Sequence, residues 1–114
     1  MKNYRLAFRE IDRDKFNEIA EGRKTIETRA ATVKYQRYGK ATRLRLYVAT
    51  IVLLKVVTKV EHFTSLDQMF VSLPLSNISP NAKDESEARS IYYEFPGHKE
   101  KIEAEGILAF TLES

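Results

Sequence analysis

The sequence predicts an α+β domain whose sheet is a small, mostly antiparallel β-barrel of about five strands, accompanied by two or three short helices. Three observations lead to this fold class. Five segments show the alternation or the density of β-branched and aliphatic residues that is typical of strands. Three stretches repeat apolar residues at helical spacing behind N-cap residues. With 114 residues, the chain has the length of a single domain, 1–114.

The first strand and helix are predicted in the N-terminal part. Aromatic and aliphatic residues alternate with polar or small ones over 3–8, which indicates a half-buried strand. Asp12 is suited to cap a helix, and Ile11 has the spacing of a hydrophobic staple to this helix. Its apolar stripe consists of Phe16, Ile19 and Ala20. Gly22 lies where a C′ glycine ends a helix, and 25–29 then reads as a second strand.

The clearest strand is predicted over 42–48. Its inward side chains are Leu44, Leu46 and Val48, and its outward ones are Arg43, Arg45 and Tyr47. The run 51–60 is long and strongly β-prone, so we expect it inside a closed or covered sheet, because an exposed edge of this kind would aggregate.

Two further helices and a last strand are predicted in the second half. Ser65 begins one capping pattern, and Pro74 ends the helix that follows it. The segment 74–83 reads as a loop. Asp84 begins a second capped helix, and a charged turn or short helix leads to a final strand over 107–112.

Charge is unevenly distributed along the chain. Residues 28–60 hold eight basic side chains and no acidic one, whereas residues 61–114 hold four basic and ten acidic ones. This segregation suits a polyanionic partner. The candidate contacts to a nucleic-acid backbone are Lys34, Arg37, Arg43, Arg45, Lys55 and Lys59, and the tyrosines among them that can stack on bases are Tyr35, Tyr38 and Tyr47. The alternative is an ordinary solvated strand face.

Several classes of protein are disfavoured by composition. The absence of cysteine excludes disulfides, thiolate metal sites and a cysteine nucleophile. No long apolar stretch suggests a signal peptide or a membrane span, so a cytoplasmic monomer is the default expectation. His62 and His98 lack metal-ligand spacing, and neither a phosphate-binding loop nor a nucleophile elbow is present, so no metal or cofactor is implied.

The string Gly22–Arg29 places Lys24, Glu27 and Arg29 at a helix-to-strand junction in the order G-x-K-x-x-E-x-R. Arg29 can fork onto a phosphate or a base edge, Lys24 can act as a point charge, and Glu27 can orient both. Strand alternation places Glu27 and Arg29 on one face, and Lys24 joins them only if it still lies in the turn. The alternative is a structural ion-pair network.

The motif, the strand and helix before it, and the basic strand pair after it resemble the ASCH family (activating signal cointegrator homology). The aromatic stretch 91–97 and the closing segment 105–110 are similar to the family too, whereas Gly39-Lys40 replaces its usual Gly-Asp pair. The resemblance implies a PUA-like barrel with a cleft, lined by the motif, that binds RNA or nucleotide-like ligands. It also makes Tyr92 a candidate for this cleft.

The resemblance implies an alternative function as well. Some small bacterial members are amidohydrolases that deacetylate N4-acetylcytidine with a Lys, a nucleophilic Thr and a Glu. Lys24 matches the Lys, Glu27 occupies the position of the Thr, and Asp84 or Glu85 lies nearest to that of the acid. Lys24 and Glu27 would then be catalytic groups in proton transfer. A third alternative is a protein-interaction module without a ligand. Binding of RNA or a nucleotide-like ligand is the leading hypothesis.

Overall fold

A computed structural model describes residues 2–40 and 42–113. Its strands are β1 Asn3–Phe8, β2 Ile26–Ala30, β3 Arg43–Val48, β4 Ile51–Phe63 and β5 Ile107–Glu113. They form one sheet in the order β1-β3-β4-β5-β2. β1 runs parallel to β3, and the other neighbouring pairs are antiparallel. The sheet curls into a half-barrel, which confirms the predicted α+β fold with a small, mostly antiparallel, PUA-like barrel.

Six α-helices accompany the sheet in the described residues, where the sequence predicts two or three. They are α1 Arg13–Ala20, α2 Val33–Gln36, α3 Leu66–Ser72, α4 Leu75–Ile78, α5 Glu85–Tyr93 and α6 His98–Glu105. The sequence predicts α1, α3 and α5, and α6 occupies the predicted charged turn or short helix. The helices α2 and α4 have four residues each, which is too short for helical periodicity to show in a sequence.

The start of α1 differs from the prediction. A 3₁₀ turn, Glu10–Asp12, precedes the helix and changes the direction from which the chain enters it. Ile11 is therefore 79% exposed and forms no staple, and the Asp12 carboxylate pairs with Arg9 at 2.8 Å instead of capping the helix. The helix buries Phe16, Glu18 and Ile19, while Ala20 is exposed.

The first half of β4 also corrects a prediction. The strand extends to Phe63, three residues beyond the predicted run, but its residues 51–55 pair with β3 alone. β5 ends opposite Val56, so Val52 and Leu54 are 54% and 63% exposed. The expectation that the whole run is covered is wrong for this segment.

Two hydrophobic clusters lie on opposite faces of the sheet. One cluster, which we call the barrel core, packs β1, β3, β4 and β5 against α1. The other, which we call the helix core, packs β2 and the opposite face of β5 against α3, α4, α5 and α6. On β5, Leu108 and Phe110 belong to the barrel core, and Ile107 and Ala109 belong to the helix core. Because side chains alternate along a strand, β2 presents side chains to both faces.

Gly22 ends α1 and aims the chain at β2. Its φ of 79° lies in the left-handed region, which glycine enters without the cost that a Cβ imposes. The Gly22 and Arg23 amides donate to the carbonyls of Ile19 and Glu18 at 3.1 and 3.0 Å, the two bonds of a Schellman motif. The Lys24 amide also donates to the Glu18 carbonyl at 3.0 Å, which fixes Lys24 in the turn before β2. The predicted C′ glycine is confirmed.

Candidate functional site

A cavity of about 390 Å³ opens beside β2. We call it the cleft, and its walls come from the end of β1, from α1, β2 and α4, and from the turn between α5 and α6. Its lining residues are Ala7, Phe8, Arg9, Asp12, Asp14, Lys15, Glu18, Lys24, Glu27, Thr28, Arg29, Ala30, Thr32, Tyr35, Ile78, Ser79, Asn81, Ala82, Ile91, Tyr92, Phe95, Pro96, His98 and Lys101. The cleft therefore contains all four side chains that the sequence analysis assigns to ligand binding.

Lys24 is a buried amine in the wall of the cleft. Its side chain is 6% exposed, and Nζ donates to the Ile78 carbonyl at 2.5 Å. The same nitrogen lies 3.9 Å from Glu27 Oε1. Burial lowers the pKa of Lys24 below its usual 10.5, although the carboxylates of Glu27 and Glu18 oppose that shift. Lys24 therefore gives up its proton more readily than a surface lysine does.

Glu27 lies between the two cations of the motif. Its side chain is 7% exposed, Oε1 accepts the Thr28 amide at 2.7 Å, and Oε2 lies 3.5 Å from Arg29 Nη2. The position of Lys24 in the turn, rather than in β2, is what brings all three charges together. This geometry contains an ion-pair network and an open cavity at the same place, so the two alternatives for the motif are not exclusive.

Arg29 reaches the cleft beside two aromatic rings. Its guanidinium carbon lies 5.3 Å from the centre of the Phe8 ring and 5.7 Å from that of Tyr35, distances at which cation–π attraction acts. Burial alone would lower the pKa of Arg29, but the Glu27 carboxylate and the Tyr35 hydroxyl outweigh burial and raise it. The side chain keeps 24% of its surface exposed, so a fixed positive charge faces the cavity.

Tyr92 and Thr28 form a polar contact across the cleft wall. The Tyr92 hydroxyl and Thr28 Oγ1 are 2.5 Å apart, and both side chains are buried. Burial raises the pKa of the Tyr92 phenol, so it stays protonated and can donate. The Tyr92 carbonyl also contacts His98 Nδ1 at 2.8 Å, which ties α5 to α6 beside the cavity.

Glu18 is a cleft residue that the sequence analysis missed. The residue is 5% exposed, and burial raises the pKa of its carboxyl, which Lys24 opposes. A glutamate on the side of a short amphipathic helix gives no pattern that separates it from solvated ones. Its position four residues before the helix-ending Gly22 is the only signal, because that is where the Schellman turn folds back.

Aromatic side chains of the cleft were also missed. Phe8 belongs to the predicted half-buried strand and Phe95 to the aromatic stretch 91–97, and both line the cavity. The Arg9 guanidinium and the Lys15 ammonium lie 4.9 and 5.7 Å from the Phe95 ring centre. The cleft thus combines flat apolar faces with cations at its rim.

The six cations proposed for a nucleic-acid backbone do not line the cleft. Arg43, Arg45 and Lys55 line a second cavity of about 410 Å³. Lys34 and Arg37 lie 5.2 and 5.6 Å from the ring centres of Tyr35 and Tyr4, and Lys59 pairs with Glu61 at 3.6 Å. The basic segment is therefore divided among several surfaces.

Three predicted site residues need correction, one tyrosine proposed to stack on a base and two acids proposed for catalysis. Tyr38 is 3% exposed and stacks on Tyr4 in the barrel core with ring centres 4.3 Å apart, so it is not available to a base. Asp84 accepts the Glu87 amide as a helix cap at 2.9 Å, and neither it nor Glu85 lines the cleft. Those two carboxylates are exposed, and the acids in the cleft come from the 3₁₀ turn before α1, from α1 and from β2 instead.

The described residues, 2–40 and 42–113, contain no group of three metal-ligating side chains that could hold an ion. Over the same ranges no helix has the length and apolar character needed to cross a membrane.

The sequence and the fold both have counterparts among known proteins. A family model described as "ASCH domain" matches residues 11–113. The crystal structure of hypothetical protein PH0355 superposes with a TM-score of 0.83 at 21% identity, covering 99% of this chain and 98% of that one. The solution NMR structure of protein PF0455 from Pyrococcus furiosus gives 0.76 at 22% identity, covering 97% and 96%. At these identities the two structures support the fold alone. A comparison with curated proteins found no significant match.

Proposed function

The chain belongs to the ASCH domain family, and from that premise we propose that it binds RNA or a nucleotide-like ligand in the cleft. The observation that carries the proposal is the convergence of Lys24, Glu27 and Arg29 on one cavity of about 390 Å³. That volume lies in the range of small-ligand sites, which run from about 300 to 1,000 Å³.

Complementary chemistry supports a base in the cleft. The rings of Phe8, Tyr35 and Phe95 offer flat faces on which a base can stack. The Glu27 carboxylate can accept a hydrogen bond from an exocyclic amino group, and the protonated Tyr92 hydroxyl can donate one. Donors and acceptors in a buried site discriminate strongly, because a wrong partner leaves them unpaired.

The charge at the rim supports a phosphate next to that base. Arg29 keeps its positive charge while a quarter of its side chain is exposed, and Arg9 and Lys15 lie beside Phe95. An arginine fork binds phosphate oxygens in bidentate fashion, whereas a lysine acts as a point charge.

The experiment compares binding of a fluorescent single-stranded RNA to the wild type, Arg29→Gln and Arg13→Gln. Arg13 is the matched control, since it pairs with Glu10 at 2.7 Å on α1 and lies outside the cleft. Loss of one charge-assisted contact should weaken Arg29→Gln about tenfold or more. Equal affinity of all three proteins would overturn the proposal.

A second cleft variant controls for a loss of RNA binding that arises only because Arg29→Gln is destabilised. Breaking a buried ion pair can cost about 3–5 kcal/mol of stability, so Arg29→Gln needs a check of its fold by circular dichroism. Phe95→Ala leaves every charge in place and removes a stacking face of the half-buried rim. We expect it to weaken RNA binding as well; a folded Phe95→Ala protein with wild-type affinity would contradict the stacking part of the proposal.

The lowered pKa of Lys24 favours one second candidate, a small amidohydrolase that acts on an acylated nucleoside. A buried amine near a carboxylate can exchange a proton during hydrolysis, with Lys24 and Glu27 as the catalytic groups. N4-acetylcytidine is the substrate to assay, and Lys24→Met should lower the turnover rate and alter its pH–rate profile. Absence of turnover across a panel of acylated nucleosides would exclude this function.

A further inference from the structure

The second cavity lies on the outer face of β1, β3 and β4. We call it the outer groove, and it is formed by Arg5, Arg43, Arg45, Lys55, Leu54 and Val56 together with the start of β1. Its volume of about 410 Å³ equals that of the cleft to within a few per cent. The family motif contributes no residue to it.

Strand alternation and register gather the arginines on this face. On β3, Leu44 and Leu46 are fully buried in the barrel core, so Arg43 and Arg45 point outward. The parallel register pairs Arg45 with Arg5 of β1. Neighbouring strands lie about 4.8 Å apart, so these two side chains leave the same face of the sheet side by side.

No carboxylate in the part of the chain that the structure describes forms an ion pair with Arg5, Arg43 or Arg45, the three arginines of the outer groove. Arg5 lies 4.9 Å from the centre of the Tyr47 ring. Glu113 is the acidic residue opposite Val56 in the sheet register. Like-charged side chains held together at a groove with an apolar floor suit an anion that carries apolar parts of its own.

The outer groove and the cleft are lined by successive parts of β1. Arg5 lines the groove and Ala7 lines the cleft, and both lie on the same face of the strand. Two residues of a strand span about 7 Å, so one extended ligand can occupy both cavities.

We propose that the outer groove binds the phosphates of nucleotides that flank the one held in the cleft, so that the ligand is a single strand of nucleic acid rather than a free nucleotide. This inference rests on the proposed function. Arginines fork phosphate oxygens, and Leu54 and Val56 provide an apolar floor for the sugars. Contacts of this kind hold a strand without reading its sequence, whereas the cleft selects the base.

The test compares wild type, Arg43→Gln/Arg45→Gln and the matched control Lys83→Gln/Lys99→Gln. The control removes the same charge from positions that line neither cavity. Each protein is titrated with a short fluorescent single-stranded RNA at several salt concentrations, and with cytidine 5′-monophosphate by calorimetry. Poly-glutamate serves as a competitor that is anionic but is not a nucleic acid.

The groove variant should bind the RNA about tenfold more weakly than the control does. Its slope of log K against log salt should be shallower by about 1.4, since each lost contact to a single strand removes about 0.7. Its affinity for cytidine 5′-monophosphate should equal that of the wild type, because a mononucleotide occupies only the cleft and does not extend into the outer groove.

Four results would overturn the inference. Wild-type RNA affinity in the groove variant would remove the groove from the site, while sensitivity to Arg29→Gln in the same assay would leave the proposed function standing. An equal loss for RNA and for the mononucleotide would mean that the variant acts through the cleft. Displacement of the RNA from the wild type by poly-glutamate as effectively as by unlabelled RNA would mark a general polyanion surface. If the wild type binds neither ligand, the proposed function and the inference fail together.

Discussion

Lys24 shows how the burial of one side chain changes its chemistry. A lysine at the surface stays charged, but this one is 6% exposed, donates to a backbone carbonyl and lies close to Glu27. Burial favours the neutral amine, and the carboxylates of Glu27 and Glu18 favour the ammonium. Because burial is the larger effect, the pKa of Lys24 falls, and a bound anion would raise it again.

The first prediction concerns the titration of Lys24. Its Nζ signal, followed by NMR in protein labelled at lysine nitrogens, should titrate below the usual lysine pKa of 10.5. Glu27→Gln should lower the pKa of Lys24 further, because it removes a neighbouring negative charge. Titration of Lys24 at the usual value, in both proteins, would refute the burial argument.

The same shift has a consequence for stability. Since the pKa of Lys24 is lower in the folded chain than its usual 10.5, the unfolded chain binds more protons between those two values. The contribution of Lys24 to the free energy of unfolding therefore rises with pH across that window. Below the window the folded protein bears the full cost of burying the ammonium.

The second prediction concerns the Tyr92–Thr28 contact. Tyr92→Phe leaves the buried Thr28 hydroxyl without its partner and should lower the free energy of unfolding by about 1–3 kcal/mol. The double variant Thr28→Val/Tyr92→Phe should cost less than the sum of the two single variants, because it removes both polar groups. Urea unfolding of the four proteins measures this coupling. Strict additivity would show that the hydroxyls do not interact.

At the level of elements, the end of α1 determines whether the three charged residues of the motif lie close together. The Schellman turn at Gly22 reverses the chain and bonds the Lys24 amide to the Glu18 carbonyl. Because Lys24 lies in this turn and not in β2, its side chain can lie beside Glu27 and Arg29. If β2 began earlier and included Lys24, strand alternation would point this side chain to the opposite face.

The third prediction compares three glycines. Gly22→Ala should lower the free energy of unfolding by about 1 kcal/mol, since φ is positive but the added Cβ meets no atom within 4 Å. Gly106→Ala should cost clearly more, because its Cβ would also lie 2.3 Å from the Phe63 carbonyl oxygen. Gly39→Ala has neither problem and is the control. Thermal unfolding gives the order, and a Gly106→Ala protein as stable as Gly39→Ala would contradict it.

Local signals explain which elements the sequence could predict. Ser65 and Asp84 do cap α3 and α5 by accepting the amides three residues on, and β3 has the predicted inward and outward faces. These features depend on neighbours in sequence. The predicted hydrophobic staple at Ile11 does not form, because a 3₁₀ turn sets the angle at which the chain enters α1. The helix α4 was not predicted, because it is only one turn long.

For the whole molecule, the candidate site is an assembly of distant segments. The motif residues could be predicted because they lie within eight positions of one another. Glu18, Phe8 and Phe95 could not, because their part in the cleft depends on how α1, β1 and α5 pack against β2. The segregation of charge was visible in the sequence, but only the folded structure shows that Arg29 lines the cleft, that Arg43, Arg45 and Lys55 line the outer groove, and that Lys34, Arg37 and Lys59 line neither.

The fourth prediction tests the central claim that the cleft is the ligand site. A ¹⁵N-labelled sample titrated with a short single-stranded RNA should show amide shifts centred on Lys24, Thr28 and Arg29, with weaker shifts on β1 and β3 along the outer groove. The same titration of Arg29→Gln should lose the shifts at the cleft first. Shifts confined to surfaces away from the cleft, or no shifts at all, would contradict the account.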